Sequence, residues 1–307
     1  MRIGMDVVSA LQFTRSDIES LINIAESMRE MHEHRGKLDL AKGKLMFTAF
    51  FEPSTRTRLS FQFAMVKLGG SVVDMGSEEA TSMAKGESPE DTLRTVDNYE
   101  PDIIVVRHWE PGFAAKAADI CRSPVINAGD GYNEHPTQAL LDVYTIWRVF
   151  GRIDGIRIGM LGDLKYGRTI SSLSYALSNF RDIEINYISP IELKPRDEVL
   201  KTLDQRRITY KFYERPEEII EKLDVLYITR LQKERMRPED YERLKNSYVI
   251  TYEYLSKLRR IPILLHPLPR VWELTPDVDK LPQAMFFEQA KNGLYMRMAL
   301  IKTILGV

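Results

Sequence analysis

Lys44-Leu45-Met46-Phe47-Thr48-Ala49-Phe50-Phe51-Glu52-Pro53-Ser54-Thr55-Arg56-Thr57-Arg58 passes from a short apolar run straight into a polar segment with three hydroxyls and two arginines. Residues 44–50 read as a strand. Ser54 reads as the N-cap of a helix carrying Phe61, Phe63, Ala64 and Leu68 and ending at Gly69-Gly70. The same pattern recurs outward along the chain. Residues 102–106 end at Arg107, 156–161 at Gly162-Asp163, 225–228 at Thr229-Arg230, and 261–265 at His266-Pro267-Leu268-Pro269-Arg270. In open α/β sheets, ligands bind beyond the carboxyl ends of the strands. Arginine recurs at these tips, and its planar fork matches phosphate and carboxylate. The pattern predicts a site for a small, multiply anionic ligand.

The rest of the chain fits an α/β reading. Ser16-Asp17-Ile18-Glu19 reads as a capping box, and Ile18, Leu21, Ile22, Ala25 and Met28 give helical spacing over about 17–33. Residues 71–75 read as a strand and 76–86 as a loop. Ser88-Pro89-Glu90-Asp91 opens a helix, another covers 114–120, and a strand covers 124–127. Residues 136–150 are apolar on more than one face and read as a buried helix crossing between two halves. The second half holds strands near 156–161, 184–188, 209–212, 225–228, 249–251 and 261–265. A last helix, about 289–305, is expected to pack back on the first half. Such alternation implies a mostly parallel sheet. The fold class expected is α/β, with two doubly wound domains, each a mostly parallel sheet with helices on both faces, joined by two interdomain helices. The domains expected are 1–135 plus 288–307, and 150–287, with 136–149 as an interdomain helix.

Composition narrows the function. The 307 residues are 44% hydrophobic and 28% charged, with a net charge of −1, so no global field steers the chain to nucleic acid or membrane. No run approaches the about 18 apolar residues of a membrane span, and Met1-Arg2-Ile3-Gly4-Met5-Asp6 lacks an apolar signal core. The single cysteine, Cys121, excludes an intrachain disulfide and a Cys-rich zinc site. A cytoplasmic location follows from these features.

Individual tips suggest roles. Hydroxyls and Arg56 at a helix start suit an anion, without the Gly-x4-Gly-Lys of a P-loop. Lys85, in Ser82-Met83-Ala84-Lys85-Gly86-Glu87, suits a mobile charge over a ligand. His135 opens the crossing helix, where a neutral imidazole can donate to a carbonyl oxygen. Gly162-Asp163-Leu164-Lys165-Tyr166-Gly167-Arg168 departs from Gly-x-Gly-x-x-Gly, which disfavours a dinucleotide-binding oxidoreductase and leaves Arg168 as an anion-binding candidate. Arg230 and Gln232 alternate and so face one side, while Lys233, Glu234 and Arg235 read as an ion-pair network. Prolines 267 and 269 give no N–H, so carbonyls here remain as acceptors for a substrate NH2, and a cis Leu268–Pro269 bond is expected.

Together, the 51–58, 82–87, 135–138, 162–168, 229–235 and 266–270 motifs resemble the aspartate/ornithine carbamoyltransferase family, in its aspartate branch, in order over nearly the whole chain. The resemblance implies transfer of a carbamoyl group from carbamoyl phosphate to L-aspartate, in pyrimidine biosynthesis, with no cofactor and no metal. It implies that Ser54, Thr55, Arg56, Thr57 and Arg107 hold the phosphate. Thr57, Arg107 and His135 would polarise the carbamoyl oxygen, while Gln138 and the carbonyls of Pro267 and Leu268 hold its NH2. Arg168, Arg230 and Gln232 would take the aspartate carboxylates. Ser82 and Lys85 would come from a neighbouring subunit of a homotrimer with shared active sites. The resemblance also admits a separate zinc-containing regulatory chain and allosteric control. The ornithine branch has Cys after the final His, where this chain has Pro267, and a Ser-Met-Gly segment, where this chain has Thr229-Arg230-Leu231-Gln232. A non-catalytic homologue would lack a polar group at the site, and none is missing. Trp272 stands where the family commonly has Asp. That acid ties down the low-activity state in allosteric members, so the change bears on cooperativity and not on the chemistry.

Overall fold

The computed structural model describes residues 1–36, 38–76, 81–245 and 247–307; residues 77–80 of the expected 76–86 loop lie outside this set. In chain order the elements are α1 (Arg15–Arg35), β1 (Leu45–Phe50), α2 (Thr55–Lys67), β2 (Ser71–Asp74), α3 (Pro89–Asp97), β3 (Ile103–His108), α4 (Phe113–Ile120), β4 (Val125–Asp130), α5 (Pro136–Phe150), β5 (Arg157–Leu161), α6 (Arg168–Leu177), β6 (Glu184–Ile188), α7 (Asp197–Gln205), β7 (Thr209–Tyr213), β8 (Val225–Ile228), α8 (Pro238–Leu244), α9 (Tyr252–Ser256), β9 (Ile263–Leu265) and α10 (Phe286–Leu305). Two compact units result: Met1–Leu140 with Asn292–Val307, and Leu141–Lys291. The divisions fall inside α5 and α10, so two helices connect the units.

In the first unit all strand pairs are parallel, in the order β2-β1-β3-β4. The chain moves from β1 to β2, then crosses back to β3 on the other side of β1. Right-handed crossovers then place helices on opposite faces, and the order reverses between β1 and β3. Central β1 and β3 are almost wholly buried, as their mostly apolar runs require; of the two edges, β4 is buried as well and β2 is exposed. Phe47, Phe51, Leu93, Ile104, Val106 and Phe113 form one core cluster. The C-terminal part of α10 belongs here: the Gly4 N–H donates to the Ile304 carbonyl at 2.9 Å, and Arg297 lies over the Phe61 ring.

The second unit is also all parallel, in the order β7-β6-β5-β8-β9. Here the reversal falls between β5 and β8. Those two strands are buried except at Arg157, and their tips meet at the Leu161–Ile228 pair. Gly162 follows directly at φ +115°, with the Thr229 carbonyl so close that a Cβ would lie 2.1 Å from its oxygen. Only glycine lets the two tips approach in this way.

Local expectations hold for most elements and fail at two. The cap of α1 is Thr14: its Oγ accepts the Asp17 N–H and the Asp17 carboxylate accepts the Thr14 N–H, so the helix starts two positions before the Ser16 box. Glu19 instead pairs with Arg15 one turn back. Residues 249–251 form no strand. Ile250 makes a single bridge to Leu274, and Thr251 is taken as the N-cap of α9, accepting the Tyr254 N–H at 3.0 Å. Trp272 packs beside Leu231, Leu244 and Tyr241, donating from Nε1 to the Tyr241 hydroxyl at 3.3 Å. Cys121 is half-buried, and burial pushes its thiol up to about 11, away from nucleophilic use.

Candidate active site

At the β1/β3 reversal, Phe50 pairs with Arg107 and the Phe51 N–H donates to the Arg107 carbonyl at 2.9 Å. The chain then turns through Glu52-Pro53 into α2. Ser54 is the N-cap in extended conformation, yet its hydroxyl makes no cap bond to the helix. The first-turn N–H groups therefore face outward with the positive end of the helix dipole, as anion sites do. Thr55 and Arg56 are exposed there, while Thr57 is buried.

Arg107 is held from two sides. Its Nη1 donates to the Ala128 carbonyl at 3.3 Å, and its Nε lies 3.4 Å from the Glu52 carboxylate. His135, buried at the start of α5, has Nε2 at 3.4 Å from Thr57 Oγ1 and Nδ1 at 3.4 Å from Thr137 Oγ1. The residue before it, Glu134, is buried and accepts the Ala10 N–H and the Ser9 hydroxyl. Gln138, one turn into α5, is buried as well. Thr57, His135 and Arg107 thus surround the helix start. Ser82 and Lys85 sit apart on a 3-10 turn, Ser82–Lys85, capped by Thr81; Met83 anchors it to the core while both polar side chains stay exposed.

In the second unit, the β5/β8 reversal carries the other candidates. Arg168 is the first residue of α6 and is buried. Arg230 and Gln232 are half-buried, with Leu231 between them packed into an apolar cluster. Asp163 ties the two tips together: its carboxylate accepts the N–H groups of Lys165 at 3.2 Å, Tyr166 at 2.8 Å and Gln232 at 3.1 Å. Burial pushes its carboxyl above the usual range, against the pull of those donors. The pairing expected among Lys233, Glu234 and Arg235 also draws in Arg230, since Glu234 lies in the field of both Arg230 and Arg235. Glu234 takes a fork from Arg230, with Nη2 at 2.5 Å and Nη1 at 3.1 Å, while Arg235 donates to the Tyr166 carbonyl at 3.0 Å. Lys233 instead lies over the Tyr241 ring. Residues 233–235 form a short 3-10 turn, and the Arg230–Glu234 pair spans its start.

Beyond β9, the Leu268–Pro269 bond is cis and Leu268 has φ +54°. His266 is buried; its Nε2 meets Glu273 at 2.9 Å, its Nδ1 accepts the Leu268 N–H at 2.8 Å, and its own N–H donates to Gln289 at 2.9 Å. Gln289 in turn donates to Asp142 at 2.6 Å.

Sequence reasoning found the cations and hydroxyls and read Glu234 as an ion-pair partner, but gave no role to Glu52 beside Arg107, Asp163 beneath the 165–166 and 232 backbone, or Glu273 beside His266. Their one visible signal was position, since each lies within seven residues of a strand-tip motif residue.

Comparison with known proteins identifies the family. Residues 5–148 match the aspartate/ornithine carbamoyltransferase carbamoyl-P binding domain, and residues 154–304 match the Asp/Orn binding domain of the same family. The chain is 52% identical over 303 residues to an aspartate carbamoyltransferase catalytic subunit of Methanopyrus kandleri, covering 98% of this chain and 97% of that one. It superposes on the catalytic subunit of M. jannaschii aspartate transcarbamoylase with a TM-score of 0.89 at 45% identity, covering 98% of each chain. Aspartate transcarbamoylase of Trypanosoma cruzi, in complex with carbamoyl phosphate and aspartate, gives 0.93 at 38% identity, covering 99% of this chain and 97% of that one.

Proposed function

Since the chain belongs to the aspartate/ornithine carbamoyltransferase family, we propose that it transfers the carbamoyl group of carbamoyl phosphate to the α-amino group of L-aspartate. The products are N-carbamoyl-L-aspartate and phosphate, a step of de novo pyrimidine biosynthesis in the cytoplasm. The first unit is then the carbamoyl phosphate-binding domain and the second the aspartate-binding domain. The observation that carries the aspartate reading is the cationic set at the β5/β8 reversal: Arg168 at a helix start and Arg230 beyond β8 suit a ligand with two carboxylates. An ornithine ammonium would meet repulsion at Arg230.

In this reading Ser54, Thr55, Arg56, Thr57 and Arg107 bind the phosphate at the start of α2. Thr57, Arg107 and His135 donate to the carbamoyl oxygen as it gains charge, while Gln138 and the carbonyls of Pro267 and Leu268 hold the carbamoyl NH2. The amine attacks the carbonyl carbon, the C–O bond to phosphate breaks, and the departing phosphate takes the amine proton. Holding two mutually repelling anions in line and stabilising the oxyanion can supply much of the rate.

The surface of α2 supports an assembly. Leu59, Phe63 and Val66, at helical spacing, are 41%, 56% and 45% exposed, and Val73 on edge strand β2 is exposed too. An apolar stripe of this kind supports a subunit interface. A homotrimer would let Ser82 and Lys85 of one subunit reach the site of its neighbour. A separate zinc-containing regulatory chain would add to that trimer. The test offers purified chain carbamoyl phosphate with L-aspartate or L-ornithine, without added metal. Product with aspartate alone is expected; product with ornithine overturns the role of Arg230, and no product with either overturns the reading.

A further inference from the structure

We propose that His266 is a positioning residue, whose imidazole, locked in one tautomer by Glu273, aims the Pro267 and Leu268 carbonyls at the carbamoyl NH2. The inference rests on the functional reading above, because the object held is the carbamoyl group. The tautomer follows from the bonds. Nδ1 accepts the Leu268 N–H at 2.8 Å and so carries no proton. Nε2 therefore carries it and donates to Glu273 at 2.9 Å. Glu273 is itself fixed, accepting the N–H groups of Val271 at 3.1 Å and Trp272 at 3.2 Å. Both partners are nearly sealed from solvent, at 1% and 4% side-chain exposure, so neither is exchanged for water.

The far end of this relay is where the backbone is strained. Leu268 has φ +54°, a left-handed conformation that a Leu seldom adopts and that persists only when its surroundings impose it. Its N–H is held by Nδ1 at this strained position, so the bond to His266 would fix the peptide whose neighbouring carbonyls face the ligand. A second anchor acts on the His266 backbone, through Gln289 and Asp142. Burial raises the Glu273 carboxyl, but the bond from His266 and the backbone donors outweigh it and leave the group lowered, an ionised acceptor at neutral pH.

Two isosteres separate the ends of the relay. His266→Asn keeps an oxygen at the Nδ1 position for the Leu268 N–H and loses the reach to Glu273. His266→Gln keeps the reach to Glu273 and loses the acceptor for Leu268. Steady-state kinetics and thermal melts of both, beside wild type, give the test. Positioning predicts that kcat/KM for carbamoyl phosphate falls about hundredfold in His266→Gln and within about tenfold in His266→Asn, the scale on which one misplaced group acts, at similar melting temperatures. Equal activity losses in the two variants, or losses that track their melting temperatures, overturn the positioning role. In wild type, ¹⁵N spectra should show a protonated Nε2 and a bare Nδ1 at His266; a protonated Nδ1 overturns it as well. A wild-type chain with no carbamoyl transfer overturns the functional reading instead, which keeps the two failures apart.

Discussion

Gly162→Ala is the most discriminating perturbation, because the geometry sets its cost. The new methyl would lie 2.1 Å from the Thr229 carbonyl oxygen and 2.9 Å from its Oγ1, so β5 and β8 must part at their tips. Backbone at φ +115° adds strain for any L side chain, about 1–3 kcal/mol. Forcing a methyl into packed atoms costs another about 1–3 kcal/mol. The sum, about 2–6 kcal/mol, is a large share of the about 5–15 kcal/mol that holds a domain folded. At about 2–4 °C per kcal/mol for a domain of this size, the melting temperature should fall by about 5–20 °C. Gly151→Ala is the control: it has φ +67° and nothing within 4 Å of the added Cβ, so only the backbone strain applies, about 1–2 kcal/mol. Calorimetry of both variants, with aspartate KM measured below the melt, gives the comparison. Gly162→Ala should melt well below Gly151→Ala and bind aspartate more weakly, since the tips carry Arg168 and Arg230. Equal melting shifts would refute the close approach and the argument that glycine is required there.

Arg56→Ala should fold as wild type, because the side chain is exposed at the start of α2, yet lose turnover at least about a hundredfold, the scale of one lost anion-stabilising donor. Melting curves and kcat check the two halves of that statement. Glu234→Gln should raise the aspartate KM about tenfold and leave that for carbamoyl phosphate near its starting value. The fork at 2.5 and 3.1 Å pre-pays the about 2 kcal/mol of Arg230 rotamer entropy, so a lower KM would mean that Glu234 competes with substrate. The pH dependence of stability should show His108. Burial among Phe51, Trp109 and Phe113 pushes it down to about 4, below its ordinary 6.5. The folded state holds it neutral, so its contribution is complete above pH 6.5 and is lost as pH falls toward 4, about 3 kcal/mol in all. Urea unfolding between pH 7 and 4 should lose one proton's worth of slope in His108→Gln.

Much of this was legible because parallel sheets write themselves plainly. Buried strands such as β3 and β8 are uninterrupted apolar runs, and the polar residue after each one marks the tip. The cations at those tips stood out for the same reason. Their partners did not, because a carboxylate's choice of partner depends on which turn folds back on which. Glu234 could as well pair with Lys233 or Arg235 in sequence, and the fork it takes from Arg230 is visible only in the folded chain. The start of α1 was ambiguous in the same way. Thr14 and Ser16 each have an acid three residues on, and the Arg15–Glu19 pair favours the earlier start. At 249–251 the apolar residues predicted strand, but Thr251 had a competing use as a helix cap.

The two connecting helices also constrain how the chain is made. Residues Asn292–Val307 belong to the unit that begins at Met1, with the whole of Leu141–Lys291 synthesised in between. Tyr295 packs against His32, Arg297 lies over Phe61, and Ile304 closes on Gly4. Until α10 is translated, the first unit must therefore wait with the α1 and α2 faces uncovered, although its sheet is already made. The second unit, contiguous in sequence, can finish first. Completion of the N-terminal fold thus waits for α10 to be translated. Loss of α10's final turns would remove the Ile304 contact to Gly4 and leave that face of the first unit uncovered.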